Sequence, residues 1–200
     1  MGLALPTAGM DQLEGYLELL VKWNRVYNLT GIRDAAKLVS HHVLDSLVVV
    51  SHLPGGNIVD VGSGAGLPGI PIAISCPGRA VTLLDSNHKK GAFLKQAIAE
   101  LGLATVQVVT ERVEAYRPAE AFKIVISRAF SDLAHFLAVA SHLCASDGVV
   151  IAMKGLRPDR EMAHVPPSWT VEKTVRLEIP QVDASRHLVF MRAISTIVPN

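Results

Sequence analysis

The feature that most constrains the fold of this chain is a glycine-rich loop that directly follows a short apolar run. Residues 58–69 read IVDVGSGAGLPG. Glycines at alternating positions allow the backbone to turn tightly and to approach a ligand closely. A helix is expected after the loop, since Pro68 or Pro71 suits a first helical turn, where a backbone donor has no partner. The segment therefore predicts a strand–loop–helix unit with a binding site where the strand ends.

The chain after residue 54 alternates strand-like and helix-like stretches. The predicted strands cover 58–61, 80–84, 105–109, 123–127, 148–153, 171–177 and 187–192, and amphipathic helices are predicted at 93–101 and 133–143. Such alternation predicts an α/β fold, a mostly parallel, doubly wound, seven-stranded sheet with helices on both faces. The segment 180–186 is too short for a helical crossover, so we expect the last two strands to form an antiparallel hairpin.

The pattern before residue 54 is helical. Leucines follow one face of a helix that begins near Asp11, and a second helix is predicted around 43–48. We therefore predict an N-terminal helical extension over 1–53 and a Rossmann-like domain over 54–200, packed as one compact unit. With 200 residues, of which 50% are hydrophobic, the chain has ample material for one core.

Composition and charge exclude several classes of protein. Lys and Arg number 19 against 18 Asp and Glu, so contact with nucleic acid would need a local patch. No apolar run approaches the roughly 18 residues of a membrane span, and no secretory signal is expected. Cys76 and Cys144 form no Cys-x-x-Cys pair, which favours a reducing cytoplasm. No metal site is expected, because the adjacent His41 and His42 would diverge by about 100° on a helix.

Two classes of cofactor compete for the loop. Gly64, Gly66 and Gly69 fit the dinucleotide fingerprint G-x-G-x-x-G. However, Asp60 precedes the glycines in D-x-G-x-G-x-G, which resembles the first motif of S-adenosylmethionine-dependent methyltransferases. S-adenosylmethionine has no phosphate for a carboxylate to repel, so we favour it over a nicotinamide or flavin and over a purely structural turn. Asp85, after the second strand, would bind the ribose hydroxyls or would instead cap the next helix.

Two cations follow the central strands. Ligands in such sheets lie beyond the carboxyl ends of the strands, where Arg128 follows the fourth strand and Lys154 the fifth. A pair of cations indicates an anionic substrate such as an RNA backbone. The alternative is a role in the fold, with Arg128 pairing with an acid such as Glu111 or Glu114, and Lys154 at a surface edge. Neither the Asn/Asp-Pro-Pro-aromatic motif of amine methylation nor a Pro-Cys nucleophile motif is present.

Several segments together resemble one family of enzymes. They are KWNRVYNLT at 22–30, HVLDS at 42–46, the loop with its extension LPGIP at 60–71, LLDS at 83–86, SRAF at 127–130, KG at 154–155 and RHL at 186–188. In this order and spacing they resemble the small-subunit rRNA guanine-N7 methyltransferase family, also called glucose-inhibited division protein B, over roughly residues 13–193. One departure is His41, where many relatives carry arginine.

The resemblance implies methylation of N7 of one guanine in bacterial 16S rRNA, with S-adenosyl-L-methionine as the donor. The partner would be free 16S rRNA or the small ribosomal subunit, and we expect a cytoplasmic monomer. The residues expected to bind the cofactor are Asp60, Gly62, Ser63, Gly64, Gly66, Leu67, Asp85, Ser86, Val113, Glu114 and Arg128. Those expected to bind RNA are Asn24, Arg25, Asn28, His42, Lys154, Arg186 and His187. Arg128 and Lys154 are the candidate catalytic residues.

The chemistry of this reaction fits the absence of an acid–base motif. Guanine N7 carries a lone pair and no proton, so its methylation needs no general base, and catalysis would consist mainly of positioning. Two other functions stay open: a methyltransferase of a small molecule, and an interaction protein that binds a dinucleotide. Trp23 and Tyr27, four residues apart on the first helix, could stack on a base or pack against the domain.

Overall fold

A seven-stranded sheet with the strand order β3-β2-β1-β4-β5-β7-β6 forms the centre of the molecule. The structure is a computed structural model that describes residues 5–179 and 185–194. The strands are β1 Ile58–Val61, β2 Val81–Leu84, β3 Val106–Val109, β4 Phe122–Ser127, β5 Cys144–Lys154, β6 Trp169–Leu177 and β7 Arg186–Ala193. Strands β1 to β5 run parallel, and β7 runs antiparallel to β5 and β6, which confirms the predicted fold class. Of the predicted turn 180–186, residues 180–184 lie outside the described residues.

Helices cover both faces of the sheet. They are α1 Gly9–Tyr27, α2 Ala35–Leu38, α3 Asp45–Leu47, α4 Gly69–Ser75, α5 His88–Glu100, α6 Leu133–Ala140 and α7 Asp159–Met162. A π-helical segment, Val39–Leu44, joins α2 to α3. Neighbouring residues of a strand point to opposite faces. Accordingly, Ile58 belongs to the core beneath α1, α4 and α5, and Val59 belongs to the core beneath α6.

Helix α1 buries one side against the sheet domain. Leu13, Tyr16 and Leu20 are three and four residues apart, so they share one face, and all are buried. The C-terminal cap of the helix is Asn28, whose φ of 48° lies in the left-handed region that asparagine tolerates. Because α1 contacts α4 and α5, the N-terminal helices belong to the core that supports the glycine loop. A division of the chain after residue 53 stays a prediction.

Several elements begin earlier than their patterns predict, among them α5, which begins at His88 rather than at 93. The second helical stretch begins at Ala35 rather than near 43; Ala36 and Lys37 are exposed, so no run of buried residues marks this start. Strand β5 begins at Cys144 rather than at 148. Its first four residues are exposed or half-buried, and a bulge between Phe122 and Ile124 shifts the register there, so the hydrophobic pattern does not mark them.

Candidate active site

The loop after β1 has a backbone that favours glycine. The φ angles of Gly62, Gly64 and Gly66 are +71°, +59° and +86°, in the left-handed region that strains residues with a Cβ. A Cβ at Gly66 would lie 2.5 Å from Ile70 Cδ1, whereas a Cβ at Gly64 would meet no heavy atom closer than 3.8 Å. Gly66 therefore serves the packing of the loop onto α4, and Gly64 borders open space.

Asp60 lies beneath the loop with one unsatisfied oxygen. Its side chain is fully buried, and Oδ2 accepts a hydrogen bond from Gly69 N at 2.9 Å. Oδ1 has no hydrogen-bond partner among the described residues. Burial raises the pKa of Asp60 to about 7, against the opposing effects of the Gly69 N–H and the Arg128 charge. A buried acceptor without a partner has a large desolvation penalty, so the site suits a ligand that brings a hydrogen-bond donor.

Asp85 ties the glycine loop to the end of β2. Its Oδ2 accepts from Gly64 N at 2.8 Å, and its Oδ1 accepts from Asn87 N at 2.9 Å. The cap of α5 is Asn87, whose side chain accepts from Lys89 N and Lys90 N. Asp85 is therefore not the helix cap, and its carboxylate has lone pairs left for a ligand at the loop.

Tyr16 connects helix α1 to the same loop, and sequence reasoning missed it. The ring is fully buried, and its hydroxyl donates to Ala65 O at 2.7 Å. Ala65 lies between the glycines, so the contact fixes the loop from behind. The helical spacing of Tyr16 indicates that its ring is buried. The one sign of a polar partner in the sequence is its hydroxyl on an otherwise apolar helix face, since a buried tyrosine hydroxyl usually has a hydrogen-bond partner.

A cavity of about 380 Å³ lies where β4 and β5 end and β7 begins. Because β7 is antiparallel, its first residues lie at this edge, and His187 pairs with Lys154 in the sheet register. The lining includes five of the predicted site residues together with one buried acid: His42, Arg128, Lys154, Arg186, His187 and Asp45. The sequence prediction that strand ends assemble a cationic rim agrees with this arrangement.

The segment that carries Arg128 links the cavity to the glycine loop. Ser127 Oγ, at the end of β4, donates to Val61 O at 2.6 Å and accepts from Ala129 N at 3.0 Å. A Cβ at Gly62 would lie 2.9 Å from Ala129 Cβ. The segment that carries Arg128 thus packs against the first turn of the loop.

Arg128 reaches across to the N-terminal helices. Its Nη1 donates to Asp45 Oδ2 at 3.3 Å. Asp45 is 2% exposed, and its other oxygen, Oδ1, accepts from Arg186 Nε at 3.0 Å. The acid that pairs with Arg128 is therefore Asp45, and the pairing with Glu111 or Glu114 considered from the sequence is not observed.

His42 forms a neutral part of the same wall. Its Nε2 lies 2.7 Å from Thr30 Oγ1, and its Nδ1 lies 3.3 Å from Arg128 Nη1. Burial, together with the charge of Arg128, lowers the pKa of His42 to about 4. The imidazole is therefore uncharged at neutral pH, and both of its ring nitrogens have partners within the chain.

Lys154 joins three elements at the other side of the cavity. Its Nζ donates to Glu161 Oε2 at 2.6 Å and to Phe130 O at 3.2 Å. The same Glu161 oxygen accepts from Leu133 N at 3.0 Å, at the start of α6. Lys154 is therefore engaged in the fold as well as lining the cavity. His187, beside it, places Nδ1 3.1 Å from Gly155 O.

Three predicted RNA contacts lie outside this cavity. The amide of Asn24 is used within the chain, since Nδ2 donates to Ile32 O at 3.2 Å and Oδ1 accepts from Thr30 N at 2.9 Å. Asn24 therefore closes the loop after α1. Arg25 and Asn28 are exposed and remain open to a partner.

The two aromatic residues of α1 have different surroundings. Trp23 packs on Phe93 of α5, with ring centroids 5.7 Å apart. Tyr27 is 44% exposed, stacks on Trp23 at 5.1 Å and has Lys89 Nζ 5.9 Å from its ring centre. Trp23 therefore packs against the domain, whereas part of the Tyr27 ring is exposed and accessible to a partner.

Of the remaining predicted cofactor residues, Ser63 and Leu67 are buried, with Ser63 Oγ donating to Asp60 O at 2.7 Å, whereas three others lie nearer the surface. Val113 is partly buried against the core beneath α6. Glu114 is exposed, and its carbonyl accepts from Arg117 Nη1 at 2.8 Å. Ser86 is exposed after β2. Their side chains are accessible to a ligand, and their roles stay predictions.

Within residues 5–179 and 185–194, no group of three or more His, Cys, Asp or Glu side chains is placed to hold a metal ion. In the same part of the chain, no helix has the length and apolar character needed to cross a membrane.

Comparison with protein-family models matches residues 9–189 to the family described as rRNA small subunit methyltransferase G, GidB. The chain belongs to this family. The ribosomal RNA small subunit methyltransferase G of Laribacter hongkongensis is 52% identical over 189 residues, covering 94% of this chain and 91% of the relative. The protein of the same name from Chromobacterium violaceum is 52% identical over 192 residues, covering 96% and 92%. The family resemblance expected from the motifs is confirmed.

Solved structures of methyltransferases share the fold. The mitomycin 7-O-methyltransferase MmcR gives a TM-score of 0.64 at 14% identity, covering 93% of this chain and 67% of that chain. A SAM-dependent methyltransferase from Thiobacillus denitrificans, in complex with S-adenosyl-L-homocysteine, gives 0.53 at 11% identity, covering 76% and 91%. At such identities the likeness concerns the fold alone, which is the predicted Rossmann-like methyltransferase fold.

Proposed function

We propose that this protein transfers a methyl group from S-adenosyl-L-methionine to N7 of one guanine in bacterial 16S rRNA. Membership of the family supports both the reaction and the class of substrate. The observation that carries the proposal is the direct packing of the glycine loop against the segment that holds Arg128. This packing brings a place for an adenosine-type cofactor next to a cavity with positive side chains, where an anionic substrate can bind.

The residues around the loop fit S-adenosylmethionine. The unpartnered Asp60 Oδ1 is an acceptor that suits the ammonium group of the methionine part, and Asp85 suits the ribose hydroxyls. When bound, the cofactor supplies a methyl group on a positively charged sulfur. The full set proposed to hold it is Asp60, Gly62, Ser63, Gly64, Gly66, Leu67, Asp85, Ser86, Val113, Glu114 and Arg128.

Methyl transfer to N7 places few chemical demands on the protein. The acceptor atom carries no proton, so no side chain has to remove one. The neutral His42 contacts Thr30 and faces Arg128, which suits a role in shaping the wall. Arg128 and Lys154 would bind and orient the substrate, and catalysis would come from alignment of the reacting atoms and exclusion of water.

Local positive charge would attract the RNA. The chain has a net charge of only +1, but Arg128, Lys154 and Arg186 meet at one cavity. Arginine and lysine that neutralise phosphates make binding weaker as salt increases. We propose that the substrate is 16S rRNA, either free or within the small subunit. Further contacts to the RNA would come from Asn24, Arg25, Asn28, His42 and His187. The enzyme would work as a cytoplasmic monomer.

The test is transfer of labelled methyl groups to 16S rRNA and to small subunits from a strain that lacks the modification, followed by mass mapping. Methylation of one guanine at N7, weakened by salt, is expected. A protein that binds S-adenosylmethionine but methylates neither substrate would refute the assignment. Transfer to a metabolite instead would favour a small-molecule methyltransferase, and binding of NAD without S-adenosylmethionine would favour a dinucleotide-binding protein.

A further inference from the structure

We propose that Asp45 is a positioning residue of the methyl-transfer site, which holds Arg128 and Arg186 as a pair facing the anionic substrate. The inference rests on the proposed function, because it concerns how that substrate is gripped. Asp45 lies in α3, whereas Arg128 follows β4 and Arg186 begins β7, 83 and 141 residues away. One carboxylate therefore joins the N-terminal helices to two ends of the sheet.

The burial of the three residues supports this role. Asp45 is 3% exposed at its side chain, but Arg128 and Arg186 are 27% and 24% exposed. The carboxylate therefore lies behind the two guanidinium groups, and the guanidinium groups reach the cavity. Both oxygens of Asp45 are used, one for each arginine, at 3.3 Å and 3.0 Å.

Charge explains why the pair needs an acid. Two guanidinium groups at the rim of one cavity repel each other, and a buried negative charge between them offsets that repulsion. A guanidinium has five N–H donors in a fixed planar arrangement. Arg128 uses Nη1, and Arg186 uses Nε and Nη1, in the contacts of the described residues. The other donors suit phosphate oxygens, which arginine binds with two parallel hydrogen bonds.

The decisive variant is Asp45→Asn, with Asp34→Asn as the matched control. Asp34 is an exposed acid at the start of α2, so its substitution makes the same change in net charge away from the cavity. If Asp45 acted only by its charge, its loss would make the site more positive and strengthen RNA binding. Positioning predicts the opposite sign: kcat/KM for rRNA falls about 10- to 100-fold, mainly through KM, while the Kd for S-adenosylmethionine, for which Arg128 is one of several proposed contacts, rises by a smaller factor.

Two further measurements separate positioning from a structural role. In a double-mutant cycle, Asp45→Asn should have a smaller effect on the rRNA KM when Arg186 is already alanine, because one of the two partners of Asp45 is gone. Asp45→Glu keeps the charge but moves the carboxylate by one methylene, so it should fold and give a KM between those of wild type and Asp45→Asn. If Asp45→Asn does not fold, this variant decides, and a wild-type KM would overturn the proposal.

Failure of the inference differs from failure of the proposed function. An active wild-type enzyme whose rRNA KM is unchanged or lowered in Asp45→Asn, or whose double-mutant cycle is additive, would overturn the positioning role alone. A wild-type protein that binds S-adenosylmethionine but never methylates rRNA would overturn the proposed function, and the positioning role with it.

Discussion

The hydrogen bond between Tyr16 and the glycine loop gives the sharpest prediction about stability. Tyr16→Phe removes a single buried oxygen and leaves Ala65 O without its donor at 2.7 Å. A buried acceptor left unsatisfied costs about 1–3 kcal/mol. For a chain of 200 residues, 1 kcal/mol corresponds to about 2–4 °C in Tm, so we expect Tm to fall by about 2–12 °C.

The same substitution should weaken the binding of S-adenosylmethionine, because the loop that receives it loses its support from α1. If the loss equals the net worth of one hydrogen bond, about 0.5–1.5 kcal/mol, the Kd rises by up to about tenfold. Thermal unfolding and calorimetric titration measure the two effects. Tyr27→Phe is the control, since Tyr27 is 44% exposed and its change should stay within about 0.5 kcal/mol. If Tyr16→Phe matched this control in both measurements, the coupling of α1 to the loop would be refuted.

Four other substitutions probe the site. Gly66→Ala should lower the free energy of unfolding by about 2–5 kcal/mol, from left-handed strain and overpacking, whereas Gly64→Ala should lower it by only about 1–2 kcal/mol and chiefly weaken cofactor binding. Denaturant titration and calorimetry measure this difference. Equal losses of stability in the two variants would contradict it. Because the pKa of Asp60 is raised from 3.8 to about 7, the folded state keeps a proton that the unfolded chain releases, so the contribution of Asp60 to stability falls as pH rises from about 4 to 7, while His42, whose pKa is lowered from 6.5 to about 4, contributes the opposite trend up to about pH 6.5. Asp60→Asn should abolish the part of the pH dependence that comes from Asp60. If the free energy of unfolding changed with pH in the same way in the variant and in the wild type, the prediction would be wrong. Glu161→Gln should loosen the segment around Lys154 and raise the KM for rRNA, while the Kd for S-adenosylmethionine stays unchanged. Steady-state kinetics and calorimetric titration measure the two quantities. An unchanged KM would show that Glu161 does not support the site.

The architecture follows from local patterns because each element leaves a local signal. Short apolar runs mark β1, β2 and β4, and the glycines between β1 and α4 mark the turn at the sheet edge. The antiparallel placement of β7 follows from the short segment before it. Lys154 was expected at the site from the end of the fifth strand and Arg186 from the family resemblance, and the strand order at the edge explains why the two line one cavity although they are far apart in sequence.

The partners of the site residues could not be predicted in the same way. Asp45 pairs with groups 83 and 141 residues away, and its own segment gives no sign of which arginine it meets. The sequence offered Glu111 and Glu114 because they are close in the chain, but they lie after β3, on the other side of β1 from Arg128. Pairings of this kind depend on tertiary packing, which residue patterns alone do not specify.

The position of Asp45 limits how relatives can exchange parts by recombination. The N-terminal helices supply the counter-charge, and the sheet domain supplies the two arginines that need it. A chimera whose helices came from a protein with a neutral residue at this position would place two guanidinium groups side by side without an acid between them. The helices and the sheet domain therefore form one electrostatic unit.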